Sequence, residues 1–266
     1  PAWKDNLIWL AVCTQTREAA VVDGPPTAGP VLAHCEAHAL KLTTIFNTHT
    51  HPDHVGINRD LAARGRLGAL RVFGPKRAAD DVPGLTDPVD DGDTARVGAL
   101  ELEVLLTEGH IDGHVSFVHD DVLFCGDTLF AAGCGYLFDG PPEKMFASLT
   151  RLAALDPATR VCCAHEYTQE NLRFAWSVEP DNEALAERIR RVWALRRAGR
   201  CSLPSTIGEE RETNPFLRPR SETLRRHVAE AFPERELARP EAVFAATRAL
   251  KDRKDYRRRP DSVLPL

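Results

Sequence analysis

The chain has no Cys-x-x-Cys pair, and its seven cysteines are an odd number that includes the adjacent Cys162 and Cys163. That pattern argues against a disulfide framework and for buried thiols in a reducing compartment. In a strand, Cys162 and Cys163 would face opposite sides. No apolar run approaches the roughly 18 residues that a membrane helix needs. The segment Pro1 to Leu10 mixes Lys4 and Asp5 with short apolar pieces, which is not the layout of a secretory signal. Internal repeats and low-complexity segments are absent too. A net charge of -5 gives no global reason to expect nucleic acid or an anionic membrane as partner. What is present is ordinary for a globular protein: 43% apolar and 27% charged residues in 266 positions, enough for one large domain or two smaller ones. The expectation is a soluble, cytoplasmic, monomeric protein.

From Leu7 to about Ala164, short apolar runs alternate with turn signals: LIWLAV, TTIFNT, RVFG, ELEVLL, VSFV, VLFCG and RVCCA, bounded by Gly, Asp and Pro. Such runs read as strands. Between them, Val31 to Leu42, Gly56 to Gly65 and Glu143 to Leu155 read as helices, which predicts sheets covered by helices. Beyond about Thr168 the texture changes. Asn182 to Arg200, Ser221 to Ala231 and Glu241 to Leu250 carry apolar residues at helical spacing among many charges. This last third is too short for much of a core of its own and is expected to dock on the first part.

The densest chemical signal is Thr48-His49-Thr50-His51-Pro52-Asp53-His54, at the end of TTIFNT. In an extended segment His49 and His51 share a side, while Asp53 and His54 follow after the turn at Pro52. One short loop thereby supplies nitrogen and oxygen ligands for two clusters. Three further strand ends carry similar groups: His110 and His114 in GHIDGH after ELEVLL, Asp127 in CGDTLF, and His165 in AHEYT after RVCC. Strand ends on one sheet edge converge in space, so these positions can surround one cleft.

The four motifs THTHPDH, GHIDGH, CGDTLF and AHEYT resemble the metal motifs of the metallo-β-lactamase superfamily, and within it the chain is similar to the glyoxalase II (hydroxyacylglutathione hydrolase) family. The likeness extends to KDNLIWL, DTLFAAGCGYLFDG, HEYTQENLRFAWSVEPDN, TNPFLR and KDRKDYRRRPD, and so covers nearly the whole chain. It implies an α+β fold: a metallo-β-lactamase-like αββα sandwich over residues 1–168, then a smaller all-helical substrate-binding domain over 169–266. It also implies two divalent metal ions, one on His49, His51 and His110, the other on Asp53, His54 and His165, with Asp127 bridging. Zinc is the first expectation, and iron or manganese also suits such ligands. The implied reaction is hydrolysis of S-(2-hydroxyacyl)glutathione thioesters by a metal-bridging hydroxide, with Asp53 and Asp127 as the catalytic carboxylates and His114 behind the ligands.

At the substrate end, the resemblance implies contacts from Tyr136, Phe138, His165, Tyr167, Lys251 and Lys254. The stretch Lys251 to Arg259 holds six basic residues, and glutathione, an anion, needs fixed positive charge. Three positions depart from the family pattern. Tyr136 stands where Lys or Arg is common, Phe138 where Tyr is common, and Lys251 where Arg is expected; these changes remove a hydroxyl donor and a planar carboxylate fork. Rival readings are a persulfide dioxygenase with one iron on two histidines and an aspartate, and a lactone or phosphodiester hydrolase on the same scaffold. The first lacks a long helical C-terminal domain. A non-catalytic relative would be expected to have lost ligands, whereas all seven are present.

Overall fold

A computed structural model describes residues Pro1–Leu266. In chain order the elements are β1 (Trp9–Val12), β2 (Glu18–Val22), α1 (Ala28–Ala37), β3 (Lys41–Phe46), α2 (Pro52–Ala63), β4 (Arg71–Pro75), β5 (Asp87–Val89), β6 (Thr94–Val97), β7 (Leu100–Leu106), β8 (Val115–His119), β9 (Val122–Gly126), β10 (Leu129–Phe130), β11 (Gly133–Cys134), α3 (Pro142–Ala153), β12 (Arg160–Cys163), α4 (Thr168–Val178), α5 (Glu183–Arg197), β13 (Ser205–Thr206), α6 (Ile207–Thr213), α7 (Glu222–Ala231) and α8 (Pro240–Asp252).

Two sheets form, in the orders β1-β2-β3-β4-β5 and β13-β12-β9-β8-β7-β6. Strands β2, β3, β4 and β5 run parallel, and helices α1 and α2 make the crossovers between the first three. The apolar residues sort by sheet face. Along β7, Leu102 and Val104 are buried while Glu101 and Glu103 are exposed, the period-two pattern of a half-buried strand. Those two pack between the sheets with Ala20, Val22, Phe46, Phe73, Val115, Phe117 and Cys162. Phe46 and Phe117 stack across this layer at 5.0 Å; truncating a ring so buried costs about 3–5 kcal/mol. The outer face of the first sheet packs Val21, Ile45 and Val72 against Val31, Ile57 and Leu61 of α1 and α2. The outer face of the second packs Leu105, Leu123, Val161 and Cys163 against helices. Cys162 and Cys163 thus point into different layers, as their adjacency predicts.

The layer containing Cys163 is not confined to the sandwich. It continues without a break through Met145 and Leu149 of α3 into Phe174, Phe216, Val228 and Phe244 of the C-terminal region, so the late helices borrow the sheet's core. That region also adds β13, antiparallel to β12 at the edge of the second sheet. Several expected bounds shift. The helical pattern of Val31 to Leu42 ends at Ala37, because Ala39 turns into left-handed backbone (φ 50°) and Lys41 to Phe46 becomes β3. Helix α2 starts at Pro52, earlier than its apolar pattern, since proline suits a first helical position. Helix α4 and the Ala-rich β2 are absent from the sequence-based expectations; alanine gives little strand signal.

Topology decides where the site forms. Strands β7 and β9 are both antiparallel to β8, and β12 is parallel to β9, so β7, β9 and β12 end on the same edge. The segments that follow them carry His110, Asp127 and His165, and β2 and β3, parallel to each other, lead into Asp23 and His49.

Candidate metal centre

The loop from β3 to α2 is held by side-chain contacts to its backbone. Asp23 accepts from the Thr48 amide (2.8 Å) and hydroxyl (2.6 Å), and Asn47 exchanges amide bonds with Asn58 of α2 (3.2 and 2.7 Å). Asp53 and His54 lie in the first turn of α2, where the helix dipole favours an anion. Asp127 follows Gly126, whose φ of 46° and crowding leave no room for a side chain: a Cβ there would meet Thr48 Oγ1 at 2.3 Å and His114 Nε2 at 2.8 Å.

Seven side chains meet at the strand ends. His51 Nδ1 lies 3.1 Å from His49 Nε2 and 3.0 Å from His110 Nε2. His165 Nε2 lies 3.4 Å from Asp53 Oδ2, and His54 Nε2 lies 3.8 Å from the same oxygen. Between the two groups stands Asp127. Its Oδ2 is 3.5 Å from His110 Nε2, while its Oδ1 is 3.4 Å from His54 Nε2 and 3.5 Å from His165 Nε2. His49, His51, His110 and Asp127 offer atoms close enough to share one ion, as do Asp53, His54 and His165. The make-up is that of a binuclear metal site.

The outward-facing nitrogens are also engaged. His54 Nδ1 pairs with Asp23 (3.0 Å), His165 Nδ1 with Asp5 (2.9 Å), His110 Nδ1 with the Tyr136 carbonyl (2.7 Å) and His49 Nδ1 with Thr48 Oγ1 (3.0 Å). Such partners fix ring orientation and turn each Nε2 lone pair inward. Asn6 donates to Asp53 Oδ2 at 3.0 Å. Burial, helped by neighbouring imidazoles, pushes His49 and His114 well below the ordinary histidine range, so both are neutral. Burial works against the charge of Asp53 and Asp127 as well. The His165 hydrogen bond and positive His54 outweigh it at Asp53, and His54 does so at Asp127, holding both carboxyl groups well below their usual range.

Two observations fit divalent ions. His54 Nε2 and Asp127 Oδ1 are buried without a hydrogen-bond partner, a costly state unless something else satisfies them. The donor set, five imidazoles and two carboxylates with no thiolate, suits borderline metals. Burial disfavours a proton on His54, yet Asp127 and Asp23 more than compensate and hold its pKa well above the ordinary imidazole value. An ion at Nε2 must displace that proton. Burial likewise opposes a proton on His165, in the same ligand group, yet its Asp53 hydrogen bond and Asp127 raise its pKa too. Ion affinity should therefore weaken by at least about tenfold for each pH unit lowered through neutrality. Calorimetric titration at pH 6, 7 and 8 checks this, and a pH-independent affinity contradicts it.

The metallo-beta-lactamase superfamily model matches residues 9–165, and the model of the hydroxyacylglutathione hydrolase C-terminus matches residues 166–254. A hydroxyacylglutathione hydrolase from Alkalilimnicola ehrlichii is 48% identical over 95% of this chain and 96% of its own. The chain belongs to the hydroxyacylglutathione hydrolase family. A further member, from Pseudomonas fluorescens, is 46% identical over 95% of this chain and 97% of its own. Among solved structures, ETHE1 from Myxococcus xanthus superposes with a TM-score of 0.62 at 27% identity, over 92% of this chain and 93% of that one. TTHA1623 in a di-iron-bound form gives 0.54 at 25% identity, over 80% and 95%.

In this member of the hydroxyacylglutathione hydrolase family, the remaining expected residues divide into those at the cluster and those away from it. His114 is buried behind it; its Nε2 accepts the Asp127 amide at 3.2 Å, and Nδ1 reaches Thr107 and Thr128. Tyr167 stacks on His165 at 4.7 Å, and burial with the nearby carboxylates pushes its phenol up, so it stays a neutral donor. Phe138 is exposed, with its ring 5.3 Å from both His51 and His110, and Tyr136 packs on Phe138 at 4.9 Å. Lys254 is exposed just after α8. Lys251 differs from its expected substrate role: it is 8% exposed, with Nζ donating to Asn171 Oδ1 and lying over the rings of Phe174 and Phe216. Burial, then the neighbouring Arg248, draws its pKa down to about 7. Sequence reasoning missed Asp5, Asn6 and Asp23. Asp23 had a signal, since it follows an apolar run as Asp127 does, but Asp-Gly-Pro read only as a turn.

Proposed function

We propose that the chain hydrolyses S-(2-hydroxyacyl)glutathione thioesters, such as S-D-lactoylglutathione, to glutathione and a 2-hydroxy acid, in methylglyoxal detoxification in the cytoplasm. The observation that carries this reading is Asp127, which turns one oxygen to each of two ligand groups in a chain of this family. His49, His51 and His110 would hold one ion and Asp53, His54 and His165 the other, with Asp127 shared; zinc is favoured over iron or manganese. Bound there, the ions would lower the pKa of a shared water toward neutrality and stabilise negative charge developing on the thioester oxygen. A single iron on two histidines and an aspartate would leave part of this cluster unsatisfied, which weighs against the dioxygenase reading.

The chain's own groups supply the rest. Asp53 and Asp127 stay ionised and offset cationic charge. Tyr167, over His165, offers a neutral hydroxyl to the substrate's peptide groups. Tyr136 and Phe138 give an aromatic wall beside His51 and His110. We assign residues 1–168 to the metal domain and 169–266 to substrate binding, acting as a monomer. With Lys251 buried, Lys254 is left to meet a substrate carboxylate.

Turnover of S-D-lactoylglutathione, a lactone and a phosphodiester by the purified chain tests the reading. The thioester should be preferred in kcat/KM by at least about a hundredfold, the margin that contacts along a whole substrate can supply. Lys254→Ala should raise KM for it by about threefold to fivefold with kcat nearly unchanged, as loss of an exposed ionic contact would. Preference for the lactone or phosphodiester would overturn the reading.

A further inference from the structure

Strands β10 and β11 pair as Leu129 with Cys134 and Phe130 with Gly133, closing a small hairpin whose tip, Ala131 and Ala132, is fully buried. Ala132 is in left-handed backbone, φ 54°. Buried peptide groups at such a tip need partners, and here the partners are side chains of the helical region. Asn171 Nδ2 donates to the Ala131 carbonyl at 2.9 Å. The Ala132 amide donates to Glu210 Oε2 at 2.8 Å. Asn214 Nδ2 reaches the carbonyls of Phe130 and Gly133 at 3.2 and 2.9 Å, and Arg248 reaches that of Cys134 at 3.3 Å.

Both ends of the hairpin belong to the metal centre. The entering strand follows Asp127 and Thr128. The leaving strand runs through Gly135, whose amide donates to the Thr128 carbonyl at 3.2 Å, to Tyr136, whose carbonyl takes His110 Nδ1. At Gly135 a Cβ would lie 2.0 Å from the Asp127 carbonyl oxygen and 3.0 Å from His110 Nδ1. A hairpin packed this closely cannot shift without moving Asp127 and His110 together.

Asn171 is the contact whose direction is set from outside. An amide can turn over and present oxygen instead of nitrogen to the Ala131 carbonyl. The Lys251 Nζ, which has N–H groups to donate whether or not it carries its extra proton, donates to the Asn171 oxygen and leaves Nδ2 for the hairpin. Gly133 leaves the amide its room: a Cβ there would sit 2.5 Å from Asn171 Nδ2. We infer that Lys251 is a positioning residue, which orients the Asn171 amide on the β10–β11 hairpin and through it holds Asp127 and His110 in place for the metal ions. The inference rests on the metal-centre reading above.

The test uses the full chain loaded with Co²⁺, whose visible absorption reports ligand geometry. Lys251→Met, Asn171→Asp and the double variant are compared with the unaltered chain for rate of Co²⁺ loss to a chelator, absorption spectrum, kcat and KM. Asn171→Asp is the safeguard for folding, because its carboxylate keeps the buried ammonium partnered while losing the donor to Ala131. Each single variant should lose Co²⁺ about ten- to a hundredfold faster, the range for groups that support metal ligands. The spectrum should change, kcat should fall, and KM should stay within about twofold. The double variant should be no worse than the worse single one, as expected for residues acting in series. Unchanged Co²⁺ loss in the single variants, or a raised KM with normal kcat for Lys251→Met, would overturn the inference. Additive effects in the double variant would do the same. An unaltered chain that takes up no Co²⁺ would sink the metal-centre reading as well, whereas normal loading with unaffected variants would sink the positioning role alone.

Discussion

Asp127→Ala should lower thioester turnover by at least on the order of 10²- to 10³-fold, the scale seen when one group stabilising transition-state charge is removed. It should also leave the purified chain short of metal. The reason is positional: Asp127 is the one side chain whose two oxygens face different ligand groups, Oδ2 toward His110 and Oδ1 toward His54 and His165. Its loss opens both groups at once, whereas losing His51 or His165 opens one. The substitution should be tolerated by the fold, because the Asp127 amide keeps its bond to His114 and the carboxylate makes no hydrogen bond to the core on its buried Oδ1 side. Metal analysis and kcat measured on the same folded sample check the expectation. Near-normal turnover would contradict the binuclear account.

Glu210→Ala should produce the largest loss of stability among single substitutions in the helical region. Glu210 is fully buried and pairs with Arg188, itself 2% exposed, and its second oxygen takes the Ala132 amide and the Asn214 side chain. Removing the carboxylate leaves a guanidinium inside the protein with the Thr213 hydroxyl and, at 3.4 Å, the Glu209 carboxylate as its remaining partners. Breaking a buried pair from one side costs about 3–5 kcal/mol. Glu209 offsets part of the charge left on Arg188, while the Ala132 amide and the Asn214 side chain lose their acceptor, so the loss is expected toward the lower end of that range. Arg96→Ala, at an ion pair whose side chains are 56% and 62% exposed, is the control and should change stability by less than about 0.5 kcal/mol. Urea unfolding midpoints of the two variants decide between a structural anchor and a surface-like contact at Glu210.

The ligand cluster was readable in the sequence because polar residues crowd the ends of apolar runs, where a packed strand has no use for them. The carboxylates and amides behind the ligands were not. Asp5 and Asp23 are single acidic residues in turn-like contexts, and their importance comes from the rings that tertiary structure brings to them, His165 and His54. The sandwich was legible from alternation such as Glu101, Leu102, Glu103, Val104, and the helical C-terminal region from apolar spacing. Where that region's core lies was not legible, since its helices share the sheet's layer rather than forming one of their own. Lys251 shows how a charge-rich run misleads. Read with Lys254 and its arginine neighbours it looks solvated, but on α8 it follows Val243 and Thr247 at four-residue steps and shares their buried face. That periodicity was available in the sequence and outweighs the local charge.

The most direct test of the central claim is a metal titration of turnover. Chain stripped with a chelator is given increasing Zn²⁺ while the thioester absorbance of S-D-lactoylglutathione is followed. The binuclear hydrolase account predicts that full activity is reached only at two equivalents of metal per chain. Saturation at one equivalent would contradict it, as would thioester left intact while one iron per chain supports oxygen uptake on glutathione persulfide.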